Sequence, residues 1–242
     1  DSFKVLTLKA DLNGTASGAN STTTPRFHIA DVAGDTDGVP GGTGSSITAR
    51  GVGSAQRLTS SAVGTNPETA ANVNEMTIVR SKPVISLCTA STCSKASPSG
   101  SLIPGTIEVI RFRIAAEGDD VIFDSNSNIR FTILEAGGAA TNRNVILYEV
   151  GKTTALQTVV VGNLTTAGTI NFNAITTTIS SGTYKEYYAT VDLTDYASTG
   201  ETFRLSIEAA DADVSWDDGV SADVTNTPSV TNLPITGGTF LK

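Results

Sequence analysis

"IRFRI", residues 110–114, decides how the rest of the chain is to be read. Ile110, Phe112 and Ile114 alternate with Arg111 and Arg113, and successive side chains of a strand point to opposite faces, so one face is apolar and the other charged. The same period returns in "FRLSIE" (203–208), which sets Phe203, Leu205 and Ile207 inward and Arg204, Ser206 and Glu208 outward. It returns again in "IRFTI" (129–133) through Ile129, Phe131 and Ile133. Further strands are expected at 144–150, 156–161, 169–179 and 184–193, separated by Gly, Asn and Asp turns. No window sustains a helical period, and "NPETAANVNEM" (66–76) supports a turn or two at most. The expected fold is all-β, a sandwich with Greek-key features.

Composition fits that reading. The 242 residues suffice for one large or two ordinary β-domains. Thr (36) and Ser (24) together make a quarter of the chain, which suits strand exteriors and turns. Sixteen basic against 24 acidic residues leave a net charge of -8, so nucleic acid, which needs clustered Lys and Arg, is not an expected partner. Apolar runs are too short for a membrane-spanning segment. The chain starts at Asp1 and its one methionine is Met76, which points to a trimmed, exported protein. Cys88 and Cys93, in "SLCTASTCSK", lack the partners of a zinc site in a chain with one histidine. A local disulfide is the expected outcome, and disulfides persist outside reducing compartments. The expected location is extracellular or at the cell surface.

The chain also repeats itself. "FKVLTLKADLNG" (3–14) corresponds to "YKEYYATVDLTD" (184–195) at a constant offset of 181 residues, 184 minus 3. That offset maps Leu6, Leu8, Ala10 and Leu12 onto Tyr187, Ala189, Val191 and Leu193, so the inward faces coincide. "TDGV" (36–39) meets "DDGV" (217–220) at the same offset. A slip of one residue would reverse the buried face, so agreement in register says more than shared composition. About one and a half modules are therefore expected. Residues 1–82 would carry a partial β module with a long Gly/Ser/Thr-rich loop, where Ile47, Val52, Leu58 and Val63 support one or two weak strands. Residues 83–242 would carry a β-sandwich module with a C-terminal strand or tail.

"RSKPVISL" (80–87), "SPSGSLIPGTIEVIRFRIAA" (97–116), "YKEYYATVDLTD" and "FRLSIEAADADV" together resemble the tandem Ig-like repeats of surface-layer and other cell-envelope proteins of bacteria, notably of the candidate-phyla group. The resemblance covers residues 76–225 and the echo at 3–40. It implies an Ig-like sandwich and an extracellular structural role, and it brings no catalytic residues. The chain departs from the family in holding one and a half modules where the family strings whole ones together.

No catalytic constellation emerges, and the chain reads as non-enzymatic. His28, within "RFHIAD", sits on an expected strand with no nucleophile attached to it by pattern. The carboxylate pairs Asp119/Asp120 and Asp217/Asp218 lie beside Gly118 and Gly219, as in solvated turns, where a glycosidase would need them across a cleft. Calcium is the one cofactor the pattern suggests: Asp31, Asp35 and Asp37 share one loop, and Asp211, Asp213, Asp217 and Asp218 share another with Glu208. Plain Asp-Gly turns are the competing reading. Asn13, Asn20 and Asn163 head glycosylation sequons. "LPITG" (233–237) matches the sorting motif of wall-anchored proteins, cleaved between Thr and Gly, but only "GTFLK" follows it, so a terminal strand or linker is expected.

The functional expectation is a subunit of a self-assembling filament, tube or surface layer. An incomplete sandwich leaves a strand edge open, and the strand carrying Leu6, Leu8, Ala10 and Leu12 would dock on a neighbouring copy, giving a homo-polymer. The alternative is a monomeric adhesin binding cell-surface glycans through aromatics such as Trp216, Tyr187 or Tyr188, residues that core or cross-strand packing accounts for equally.

Overall fold

The computed structural model describes residues 9, 49–50, 57–58, 78–137, 143–162, 167–208, 214–220, 224–225, 230 and 232–242. Thr23–Ile78 forms one compact unit, and Asp1–Thr22 together with Val79–Lys242 forms the other. Within the first, β1 (Ala49–Arg50) and β2 (Arg57–Leu58) pair antiparallel, with Ala49 opposite Leu58. Leu58, one of the four residues expected to support weak strands there, thus lies in β2.

From Val79 onward every described element is a strand. In chain order they are β3 (Ser81–Leu87), β4 (Gly100–Ser101), β5 (Thr106–Gly118), β6 (Val121–Phe123), β7 (Asn128–Ala136) and β8 (Arg143–Glu149). Then follow β9 (Gln157–Val161), β10 (Ala167–Phe172), β11 (Thr177–Ile179), β12 (Tyr184–Asp192) and β13 (Thr202–Ile207). The last are β14 (Val214–Trp216), β15 (Val224–Thr225), β16 (Ile235–Thr236) and β17 (Phe240–Leu241). One sheet has five strands in the order β3-β5-β12-β8-β9, all antiparallel. The second is built around β7, with β10 on one side and β13 and β14 on the other. β16 and β17 line β13, and β4 adds to β17 as its parallel partner. A small β6–β11 pair, bridged from Ile122 to Asp217, lies beside them.

Period-two alternation supplies the inner faces. Ile110, Phe112 and Ile114 of β5 and Tyr187, Ala189 and Val191 of β12 come from the first sheet. Ile129, Phe131 and Ile133 of β7 and Phe203, Leu205 and Ile207 of β13 come from the second, and all of these are buried in one core. Phe112 meets Phe131 edge-on across the sheets at 5.7 Å, and Phe131 meets Phe172 at 5.4 Å. Such pairs add to plain area burial. The Trp216 indole N–H donates to the Ser81 carbonyl oxygen at 3.1 Å, tying β14 to β3. Among the described residues there is no helix, and none long and apolar enough to cross a membrane.

The alternation in β5 begins at Ile110 for a reason. Ala189 pairs with Ile110 but Thr190 pairs with Glu108, so Val109 is the extra residue of a β-bulge. The bulge resets the phase of the strand and lets Val109 and Ile110 both be buried. Two expectations are refined. The segment 169–179 is broken after Phe172, because the chain leaves β7 to pair with β6 through Thr177–Ile179. Ser206, expected outward, is buried, because β16 covers it on one side and β7 on the other; its hydroxyl donates to Glu208 Oε1 at 2.6 Å.

Within "LPITG", Ile235 and Thr236 form strand β16. Ile235 pairs with Ile207, Thr236 pairs with Ser206, and the Gly237 N–H donates to the Leu205 carbonyl oxygen at 2.9 Å.

Candidate functional site

β3 ends at Leu87, and the N–H of the next residue, Cys88, donates to the Arg111 carbonyl oxygen at 3.0 Å and so continues the ladder. The chain then turns, with the Cys93 N–H donating to the Thr89 carbonyl oxygen at 3.2 Å, and Cys88 and Cys93 form a disulfide. The disulfide-closed turn and the residues after it fold back over the outer face of the five-stranded sheet. The Ser94 N–H donates to both carboxylate oxygens of Glu186, at 3.0 and 3.1 Å, and its hydroxyl makes a further short bond to the same group. Ser97 closes the strap, its hydroxyl accepting from the Arg111 N–H at 3.0 Å and its own N–H donating to the Cys88 carbonyl oxygen at 2.8 Å.

Beneath the strap lies a fixed array of charges and rings. Arg111 is held by Glu108 in a bidentate pair, at 2.8 and 2.9 Å, and its guanidinium sits 5.0 Å from the centre of the Tyr188 ring. The Glu108 hydrogen bonds raise the Arg111 pKa, against the opposing effect of burial. Arg113 donates to the Ser86 hydroxyl at 3.1 Å and to the Thr92 carbonyl oxygen at 3.2 Å, and lies over Tyr184 at 5.3 Å. Tyr148 stacks on Tyr188 at 5.0 Å with 12° between the rings. The sequence reading makes this face the wet side of the sheet, yet Arg111 is only 8% exposed.

A second cluster is buried between strand ends. The Arg143 guanidinium donates to Glu135 at 3.2 Å and to Asp195 at 2.6 Å, while the Tyr196 hydroxyl donates to Glu135 at 2.7 Å. Taking charges out of water is costly unless they are paired and hydrogen-bonded, and here one cation meets two carboxylates and a phenol. Burial and then the Glu135 bond push the Tyr196 phenol up, and burial does the same to Tyr187.

The two carboxylate pairs meet at Arg80. Its Nε donates to Asp119 at 2.7 Å, and its backbone N–H donates to Asp218 at 3.1 Å. The Asp120 N–H, then Arg80, hold Asp119 below the usual carboxylate range. The Asn126 N–H and Ser127 hydroxyl lower Asp124 likewise, and the Thr194 hydroxyl and N–H lower Asp192. Asp218 is no solvated turn residue: it is buried, and its Oδ1 also accepts the Val220 N–H at 3.0 Å. Asp217 accepts the Gly219 N–H at 2.6 Å.

Cys88 and Cys93 are bonded as anticipated. Asp217 and Asp218 cap their own turn, while Asp31, Asp35, Asp37, Asp211 and Asp213 lie outside the described residues, as do Asn13, Asn20, Asn163, His28, Leu6, Leu8, Ala10 and Leu12. Among the described residues the one grouping of three metal-type ligand atoms is Cys88, Cys93 and Glu186, and its two sulfurs are spent on each other. Trp216 and Tyr187 are core residues. Sequence reasoning missed the strap and the Arg143 cluster. For the cluster a signal existed, because Glu135 continues the inward series Ile129, Phe131, Ile133 and a carboxylate there demands a buried partner. No protein-family model matches the chain, and no curated protein does.

Proposed function

We propose that this chain is a non-enzymatic extracellular structural protein, a subunit of a self-assembling filament, tube or surface layer joined by strand-mediated contacts. The observation that carries the reading is the match between residues 3–14 and β12. Tyr187, Ala189, Val191 and Leu193, the counterparts of Leu6, Leu8, Ala10 and Leu12, are all buried, and β12 is flanked by β5 and β8. A segment that copies a central strand carries an apolar face that needs a sheet to lie on. The Cys88–Cys93 bond agrees with an oxidising location. The Ig-like assignment rests on the sequence resemblance, and calcium binding by the loops around Asp31–Asp37 and Asp211–Asp218 rests on their acidic pattern.

Deleting residues 1–12 tests the reading. The expected product is a soluble, folded protein that no longer polymerises in sizing and negative-stain imaging, and a variant that assembles like the parent would sink the idea. A second reading, a glycan-binding adhesin, is favoured by one observation: Tyr148, Tyr188 and Tyr184 lie on the outer face of the sheet with Arg111 and Arg113. In the same experiment it calls for a parent chain that stays monomeric and binds polysaccharide.

A further inference from the structure

Among the described residues the five-stranded sheet ends in β3 on one side and β9 on the other. Open edges recruit strands unless charge, proline or cover prevents it. β3 is protected: Lys82 pairs with Glu117 at 3.3 Å, and Pro83 has no N–H to offer. β9, "QTVVV", has neither device. Thr158, Val159, Val160 and Val161 are all β-branched and uncharged, and Val160 stands 62% exposed. The strand is held firmly from behind, paired with β8 from Gln157↔Leu147 to Val161↔Arg143. The Gln157 side chain anchors its start, donating to Asn173 at 3.1 Å and accepting the Ala174 N–H at 2.9 Å. In the second sheet β4 is two residues long, and β10 turns its large apolar residues, Ile170 and Phe172, into the core.

We infer that β9 is the acceptor edge of the assembly, and that residues 3–12 of a second copy add to it as one more strand. The inference rests on the assembly reading and names its docking site. The occupant follows from the repeat: residues 3–12 copy β12, a strand of this same sheet. Added beyond β9, Leu6, Leu8, Ala10 and Leu12 continue the inner face that Val159 and the buried Val161 begin. Donor and acceptor are different surfaces of one chain, so the contact is heterologous and can repeat from copy to copy, into a filament or, where the rotation closes, a ring.

The test is Val160→Lys in the full chain. The side chain already faces solvent, so the melting profile and the disulfide are expected to be unchanged, while a charge on the edge opposes strand addition. Concentration-dependent light scattering is expected to show the parent growing into polymers and V160K associating roughly tenfold or more weakly. Below the assembly concentration, a labelled peptide of residues 1–14 is expected to bind the parent and not V160K. If V160K polymerises as the parent does, or binds the peptide equally, β9 is the wrong edge while the assembly reading stands. Loss of polymer in V160K with no peptide bound by the parent overturns the choice of occupant. A parent that stays single at every concentration overturns the assembly reading itself.

Discussion

At Gly237 there is no room for a side chain: a Cβ would lie 2.8 Å from the Leu205 carbonyl oxygen and 3.2 Å from both Ile110 Cγ1 and the Val109 carbonyl oxygen. Backbone oxygens cannot swing aside, so Gly237→Val is expected to destabilise the protein by about 1–3 kcal/mol in denaturant titrations. Gly162→Ala, where a Cβ meets nothing within 4 Å, is the neutral control. The two raised phenols give a second prediction at this scale. An unfolded tyrosine ionises near pH ~10, whereas Tyr187 and Tyr196 resist ionisation in the fold. Their contribution is therefore present below that value and lost as pH rises through their raised values. Phenolate absorbance should show these two of the five tyrosines ionising only with unfolding, and a titration in which all five ionise while the fold persists would refute it. Residues such as Tyr187 were legible from strict alternation. Gly237 was not, because its constraint comes from two segments distant in sequence, β5 and β13.

At the scale of elements, β5, β7, β8, β9, β12 and β13 were read from period two and their apolar faces lie in the core as expected, whereas β4, β6, β14 and β15, two or three residues each, are too short to show a period. What escaped was everything set by a partner strand: the bulge at Val109, the break between β10 and β11, and the cover over Ser206. The strap escaped for the same reason, since Ser94 and Glu186 are 92 residues apart. The disulfide in it closes a short loop, for which chain entropy gives about 2 kcal/mol. Replacing both Cys88 and Cys93 by Ser is expected to lower unfolding free energy by about that amount. Hydrogen exchange should find the Ser94 amide, now held by Glu186, much less protected, while amides in β12 keep their protection. Equal loss in both places would mean that the strap is part of the core and not a separate element.

Across the whole molecule, the all-β class and the disulfide could be read from the sequence, because both depend on local pattern. The order of strands could not. β12 sits between β5 and β8, and β7 between β10 and β13, pairings that join distant stretches and leave no trace in any single window. The predictions that belong to this scale are the loss of assembly on deleting residues 1–12 and on Val160→Lys, since each removes one half of a contact between copies. The placement of "LPITG" has a consequence of another kind, one of timing. An enzyme that joins such a motif to a wall needs the peptide bond after Thr236 free and extended, yet Ile235 and Gly237 are both hydrogen-bonded into the ladder with β13. Any covalent attachment there would have to outrun folding. Once β16 has docked, the peptide bond between Thr236 and Gly237 is held inside the sheet.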